Sequence, residues 1–198
     1  MTITEEKLEL LNSIIVTGAG HASRSLSKWF SKTVHIEASG FLRVPIGDAF
    51  ERIEGAEESM VAVYNQMVGD IPGHLLLGFP EEAAFSLVDQ MLSLAPGTTK
   101  ELDPMGASVI QETGNIVSSS FIGNLANSFD CQILPSVPYI QHDLGGAILE
   151  GLLVDQYETS NEALILPSRF LFEDREVSWF LYVMPTREGF EAMDLLMG

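Results

Sequence analysis

Glu112 and Asn115 are the residues of this chain whose types and spacing best suit chemistry on another molecule. They lie in MGASVIQETGNIVSSSFIGNLANSFDCQILPSVP, Met105 to Pro138, whose opening half reads as one amphipathic helix. At about 100° per residue, Ile110, Thr113, Val117 and Phe121 share one arc, with Val109 and Ile116 at its edge. Ser108, Glu112, Asn115 and Ser119 share the opposite arc. A carboxylate and a carboxamide three residues apart are therefore neighbours on the exposed side of a helix whose other side is buried. The amide can both donate and accept a hydrogen bond. Rigid placement on a helix suits a pair that must meet one point on another molecule.

The spacing E-x-x-N occurs three times, at Glu9/Asn12, Glu112/Asn115 and Glu158/Asn161. Only the middle copy has Ser four residues before the Glu and Pro at the twenty-third position after the Asn. Ser108-x3-Glu112-x2-Asn115-x22-Pro138 resembles the pattern of the CheC/CheX/FliY family, phosphatases of the chemotaxis response regulator CheY. Four fixed points over 31 residues carry the resemblance.

The elements that must position these residues belong to a chain of 198 residues, long enough to bury a sizeable core. With 46% hydrophobic and 19% charged residues it is globular rather than disordered. A formal net charge of −18, from 28 acidic against 10 basic groups, argues against nucleic acid and against anionic membrane surfaces. The single cysteine, Cys131, opens an apolar stretch without a basic neighbourhood and reads as a small core residue. MTITEEKLELL lacks the basic and apolar regions of a secretion signal, and no run approaches a membrane span, so a cytoplasmic protein is expected.

Thr4, followed by Glu5 and Glu6, reads as the start of a helix whose apolar face runs through Leu8, Leu11, Ile15, Ala19, Ala22 and Leu26 to about Phe30. Gly18-Ala19-Gly20 within it suggests close approach of a neighbouring element. Strand pattern follows over Thr33 to Val44, broken near Gly40, then a short helix near Ala49 to Ile53. Ser59 to Val68 and His74 to Phe79 read as strands, and Pro80 opens a helix to about Leu94. Ala95 to Lys100 is the best internal linker. After Pro104 the order returns: the long helix, a strand near Cys131 to Leu134, and a short helix around Gly146 to Val154. Two strands near Glu162 to Phe172 and Glu176 to Val183 come next, and Pro185 opens a helix to about Met197.

The two halves can be laid over each other. An offset of 99 pairs Phe30 with Phe129 and Val34 with Ile133; an offset of 105 pairs Pro80 with Pro185, Phe85 with Phe190 and Asp89 with Asp194. The expected fold is α+β: pseudo-twofold duplicated α-β-α-β-β-α units around a central, mainly antiparallel sheet with two long helices. It is expected as one domain over 1–198, with halves of about 1–97 and 103–198.

The resemblance covers nearly the whole chain. Two-site CheC proteins resemble a duplication with E-x-x-N on each long helix, the first followed by a segment like Gly18-Ala19-Gly20. In that register the first Glu and Asn fall on Ser13 and Val16, the preceding Asp/Ser on Glu9, and Ser39 stands where Pro138 stands. The resemblance thus implies one surviving site. Its implied catalytic residues are Asn115, which would position the in-line water, and Glu112, which would pair with the regulator's Lys. Ser108 and Pro138 support the motif without assigned chemistry. No cofactor of its own is implied; Mg2+ is expected in the response-regulator substrate. Implied partners are a CheY-type response regulator and, as a further candidate, the deamidase CheD. The alternative function is a chemotaxis adaptor that binds CheD or the regulator without catalysis.

Other residues carry weaker signals. His21, His35, His74 and His142 show no ligand spacing, so no metal is expected. Asp70 and Asp143 read as turn formers, and Ser118-Ser119-Ser120 lacks a nucleophile elbow. Gly145-Gly146 has no phosphate-binding pattern around it, and Met184 to Met197 reads as core and helix face.

Overall fold

The computed structural model describes residues 4–45, 48, 57–150, 162–172 and 175–198 of the chain. Thr4 caps helix α1 (Glu5–Phe30), its side chain accepting from the Lys7 N–H at 3.4 Å, with Glu5 and Glu6 at the positive end of the dipole. Helix α3 (Pro104–Phe129) starts by the same physics. The Asp103 carboxylate accepts from the Gly106 N–H at 2.7 Å, and Pro104 occupies the first turn, where its missing N–H costs nothing. Both helices have 26 residues and end in the same way. Ser31 and Asp130 take left-handed conformations, and the next amides, of Lys32 and Cys131, return to the carbonyls of Ser27 and Ala126.

Strands β1 (Val34–Ala38), β2 (Leu42–Pro45), β3 (Ser59–Gly69) and β4 (Gly73–Pro80) follow α1, and helix α2 (Glu81–Met91) closes the first half. Strands β5 (Ile133–Pro135) and β6 (Tyr139–Leu144) follow α3, and a helix α4 is described over 145–150. Strands β7 (Glu162–Phe172) and β8 (Arg175–Pro185) and helix α5 (Arg187–Leu196) complete the chain. The short helix expected near Ala49 to Ile53, and the end of that expected around Gly146 to Val154, lie outside the described residues. Strand β6 was not expected. Helix α2 stops three residues short of the expected Leu94, because Ser93 adopts a positive φ of 56°. Pro185 ends β8 rather than opening α5, whose cap is the Thr186 hydroxyl accepting from Gly189 N–H.

The sheet has eight strands in the order β1-β7-β8-β4-β3-β5, with β2 also on β7 and β6 also on β3, and every described pairing is antiparallel. Exchanging β1, β2, β3 and β4 with β5, β6, β7 and β8 gives the same order read from the other edge. The architecture is therefore a pseudo-twofold α+β fold in which each half lends its first two strands to the other half's third strand. Registers agree: Val34 faces Phe172 as Ile133 faces Gly69, and Leu42 faces Ile165 as Gln141 faces Ala62.

Helices α1 and α3 lie on one face of the sheet over the larger core, which includes Leu26, Val61, Val63, Ile110, Val117 and Trp179. Their contacts, Ile14 with Asn124 and Gly18 with Phe121, show that they run antiparallel. A Cβ on Gly18 would sit 3.0 Å from the Phe121 ring, so the small residue is what the close approach requires. Gly20 meets only Arg24 at 3.7 Å and plays no such part. Ile148 and Leu149 of α4 join a smaller core on the opposite face with Val44, Met60, Leu76 and Tyr182.

Candidate functional site

The burial of α3 fixes which side chains point outward. Ile110, Thr113, Val117 and Phe121 are all buried under the helix. Ser108, Glu112 and Ser119 are exposed and Asn115 is half-buried. Gly114, between Glu112 and Asn115, seats the helix on the sheet: a Cβ there would fall 2.5 Å from Val63 Cγ1. The acid and the amide thus stand on a rod pressed directly against β3.

Ser108, Glu112, Asn115 and Pro138 come together in one open cleft of about 520 Å3, lined also by Trp29, Met105, Val109 and Gln111. Among the described residues no hydrogen bond or ion pair holds the side chains of Glu112 or Asn115, so the polar groups of both are available to a partner. The Ser108 hydroxyl donates back to the Pro104 carbonyl at 2.9 Å, a bond internal to the helix. Gln111 Nε2 donates to the Pro138 carbonyl at 2.8 Å, which ties the β5–β6 connection to α3. Sequence reading missed Gln111 and Trp29. Trp29 lies in the other half, and only the antiparallel packing of α1 on α3 delivers it to the cleft.

The first half supplies a comparison inside one molecule. Ser13 and Val16 take the positions of Glu112 and Asn115 on α1, and both are exposed. Asn12, the counterpart of Gln111, accepts from the Phe41 N–H at 2.6 Å. The Glu9/Asn12 spacing therefore carries a loop clamp rather than a free amide. The third copy, Glu158/Asn161, lies outside the described residues.

A second cleft of about 410 Å3 is lined by Glu81, Glu82, Phe85, Ser86, Asp89 and Lys100, among others. Its buried acid is already occupied: the Asp89 carboxylate accepts from the Thr98 and Thr99 N–H groups and from the Thr99 hydroxyl, at 2.6–3.0 Å. Burial alone would raise the Asp89 carboxyl, but these bonds, led by the Thr99 hydroxyl, hold it below its ordinary value. The Ala95–Lys100 connection is thus pinned to α2. Cys131 is half-buried; desolvation, with Asp70 and Asp130 nearby, pushes its thiol up and disfavours the thiolate. His142 Nε2 lies 2.7 Å from Glu81 Oε1, and His74 stacks on Tyr64. Among the described residues no three or more His, Cys, Asp or Glu side chains form a group that could hold a metal ion. No described helix is long and apolar enough to cross a membrane.

Comparison with known proteins bears on both fold and site. The crystal structure of Thermotoga maritima FliY superposes with a TM-score of 0.78 at 16% identity, covering 100% of this chain and 98% of that one. CheY-P phosphatase CheC of Bacillus subtilis (strain 168) is 22% identical over 200 residues, covering 99% of this chain and 96% of that protein. The model of the CheC-like family matches residues 105–141, a span that holds all four points of the Ser108–Pro138 pattern. The chain is thus similar to the CheC/CheX/FliY family, in the Ser108–Pro138 segment by sequence and over its whole length by fold. The same fold extends to the FliM middle domain from H. pylori, with a TM-score of 0.71 at 12% identity over 98% of this chain and 99% of that one. A CheC-like fold by itself therefore does not fix an activity; the cleft on α3 has to.

Proposed function

We propose that this CheC-like chain is a phosphatase of the aspartyl phosphate of a CheY-type response regulator, acting through one site on α3. The observation that carries the proposal is the outward-facing, unengaged pair Glu112 and Asn115 in one cleft with Ser108 and Pro138. The likeness to a CheY-P phosphatase over nearly the full length supports the substrate class.

A phosphorylated regulator holds an acyl phosphate on an Asp, with Mg2+ and a Lys in its own pocket. Hydrolysis needs a water in line with the scissile P–O bond, while charge spreads over the phosphoryl oxygens. The water oxygen bonds to phosphorus, the bond to the aspartate breaks, and the products are inorganic phosphate and the free carboxylate. There is little covalent chemistry left for the phosphatase. Asn115 inserts its amide beside the phosphoryl group, accepting from and donating to that water, so that the attack becomes positioned rather than random. Glu112, one turn back on the same face, pairs with the regulator's Lys and sets the orientation of the docked complex. Mg2+ remains part of the substrate, and the chain contributes no metal of its own.

The test is direct. Wild-type protein mixed with a chemically phosphorylated CheY-type regulator in Mg2+ should accelerate release of inorganic phosphate over the regulator's own rate. The absence of any acceleration, with binding intact, would favour the second reading, a chemotaxis adaptor for the regulator or for CheD. The replacement of the pair by Ser13 and Val16 on α1 is the feature that gives that reading weight.

A further inference from the structure

We propose that Trp29 anchors the phosphorylated regulator beside Asn115, so that the docking face is assembled from both halves of the chain. The inference rests on the phosphatase reading and names a binding residue that the Ser108–Pro138 pattern does not contain.

Among the residues lining the cleft, Trp29 is the one supplied by the first half. It sits in the last turn of α1, half-buried, with its ring edge-on to Phe30 at 5.1 Å between centroids. A rigid, partly exposed aromatic at the rim of a polar site is the kind of residue that dominates protein–protein binding energy.

The duplication shows that the fold does not need it there. Phe30 has Phe129 as its counterpart, and both pack against the core. Trp29 has Ser128, which is exposed. Each cleft position can be compared in this way. Where the α3 cleft has Glu112, Asn115, Pro138 and Trp29, the equivalent place on α1 has Ser13, Val16, Ser39 and Ser128. One side of Trp29 packs on the core, yet the tryptophan is present and absent together with the acid and the amide, as a recognition residue would be.

Charge points to the same occupant. The chain carries −18 overall, yet α3 has a single charged residue, Glu112, in 26 positions. A phosphoryl-bearing pocket is anionic and would be repelled by most of this surface. Around the cleft it meets Trp29 and Met105, the latter at 59% exposure, with Glu112 the one carboxylate of the lining. An apolar lip supplies attraction where long-range electrostatics supply none, and leaves Glu112 as the one charge that selects the regulator's Lys.

Trp29→Ser, the residue that the first cleft carries, should raise KM for the phosphorylated regulator about 30-fold, the loss expected of an interface hot spot, with kcat preserved. Trp29→Phe should recover most of it. Thermal unfolding of both variants shows whether the helix end still packs. The wild-type side chain gives a second readout, because the only other tryptophan, Trp179, is 1% exposed in the core. Docking of a tryptophan-free regulator should therefore shield the exposed tryptophan fluorescence from acrylamide. Hydrolysis with KM unmoved by Trp29→Ser overturns the anchor and leaves the phosphatase reading standing. Shielding by the regulator without phosphate release overturns the phosphatase reading and keeps the anchor.

Discussion

Replacing Gly114 by Ala puts a methyl group into the contact that holds the site helix on the sheet. The new Cβ would lie 2.5, 2.6 and 2.7 Å from Val63 Cγ1, Cβ and Cγ2. Carbon atoms pack at about 3.5–4.0 Å, so all three distances fall short by roughly 1 Å. Val63 is fully buried and β-branched, and cannot turn aside. Overpacking costs about 1–3 kcal/mol, and three simultaneous short contacts place this variant near the upper end. The better helix propensity of Ala returns about 1 kcal/mol, leaving a net loss of about 2 kcal/mol. For a chain of this size that corresponds to a Tm lowered by about 4–8 °C. Gly123 on the same helix is the control, since nothing lies within 4 Å of a Cβ added there. Gly123→Ala should gain up to about 1 kcal/mol and raise Tm. Thermal and urea unfolding followed by circular dichroism measures both signs in one experiment. Val63→Ala should relieve part of the Gly114→Ala penalty, giving a favourable coupling in the double-mutant cycle. A Gly114→Ala protein at least as stable as wild type would refute the seating of α3 on Val63.

Two further expectations follow from the other polar contacts. Asn12→Ala should cost about 1 kcal/mol by removing the acceptor of the Phe41 N–H, yet leave phosphate release unchanged; a loss of activity would make Glu9/Asn12 more than a clamp. Asp89 has a lowered carboxyl pKa, so its contribution to stability is full above the unfolded value of about 4 and is lost as pH falls through the lower folded value. Asp89→Asn should be less stable than wild type at pH 7, with the gap closing as pH drops below about 4. Urea midpoints across that range would show it, and a gap independent of pH would contradict the assignment.

Much of this architecture was legible because its signals are local. Thr4 and Asp103 mark the starts of α1 and α3, and the inner arc of α3 is buried as its periodicity requires. The repeat was legible from Phe30/Phe129 and Pro80/Pro185, and the strand exchange between halves gives it structural form. Strand β6 escaped because YIQHDL is exposed or half-exposed throughout and shows no buried face. It forms because β3 pairs with it from Ser59 to Tyr64, a long-range cause that composition does not register. The 99-residue offset did contain it, since β2 maps onto 141–144. The site divides in the same way. Ser108, Glu112, Asn115 and Pro138 were readable as a spacing, whereas Trp29 and the Gln111–Pro138 tie exist only once α1, α3 and the β5–β6 connection are brought together.

Phosphate release from a phosphorylated CheY-type regulator, followed with wild type and Asn115→Ala side by side, tests the water-positioning role most directly. Asn115→Ala is expected to bind the regulator as wild type does and to lose about 10²-fold or more of the accelerated rate. Release at the wild-type rate by Asn115→Ala would contradict the proposed chemistry of the α3 cleft.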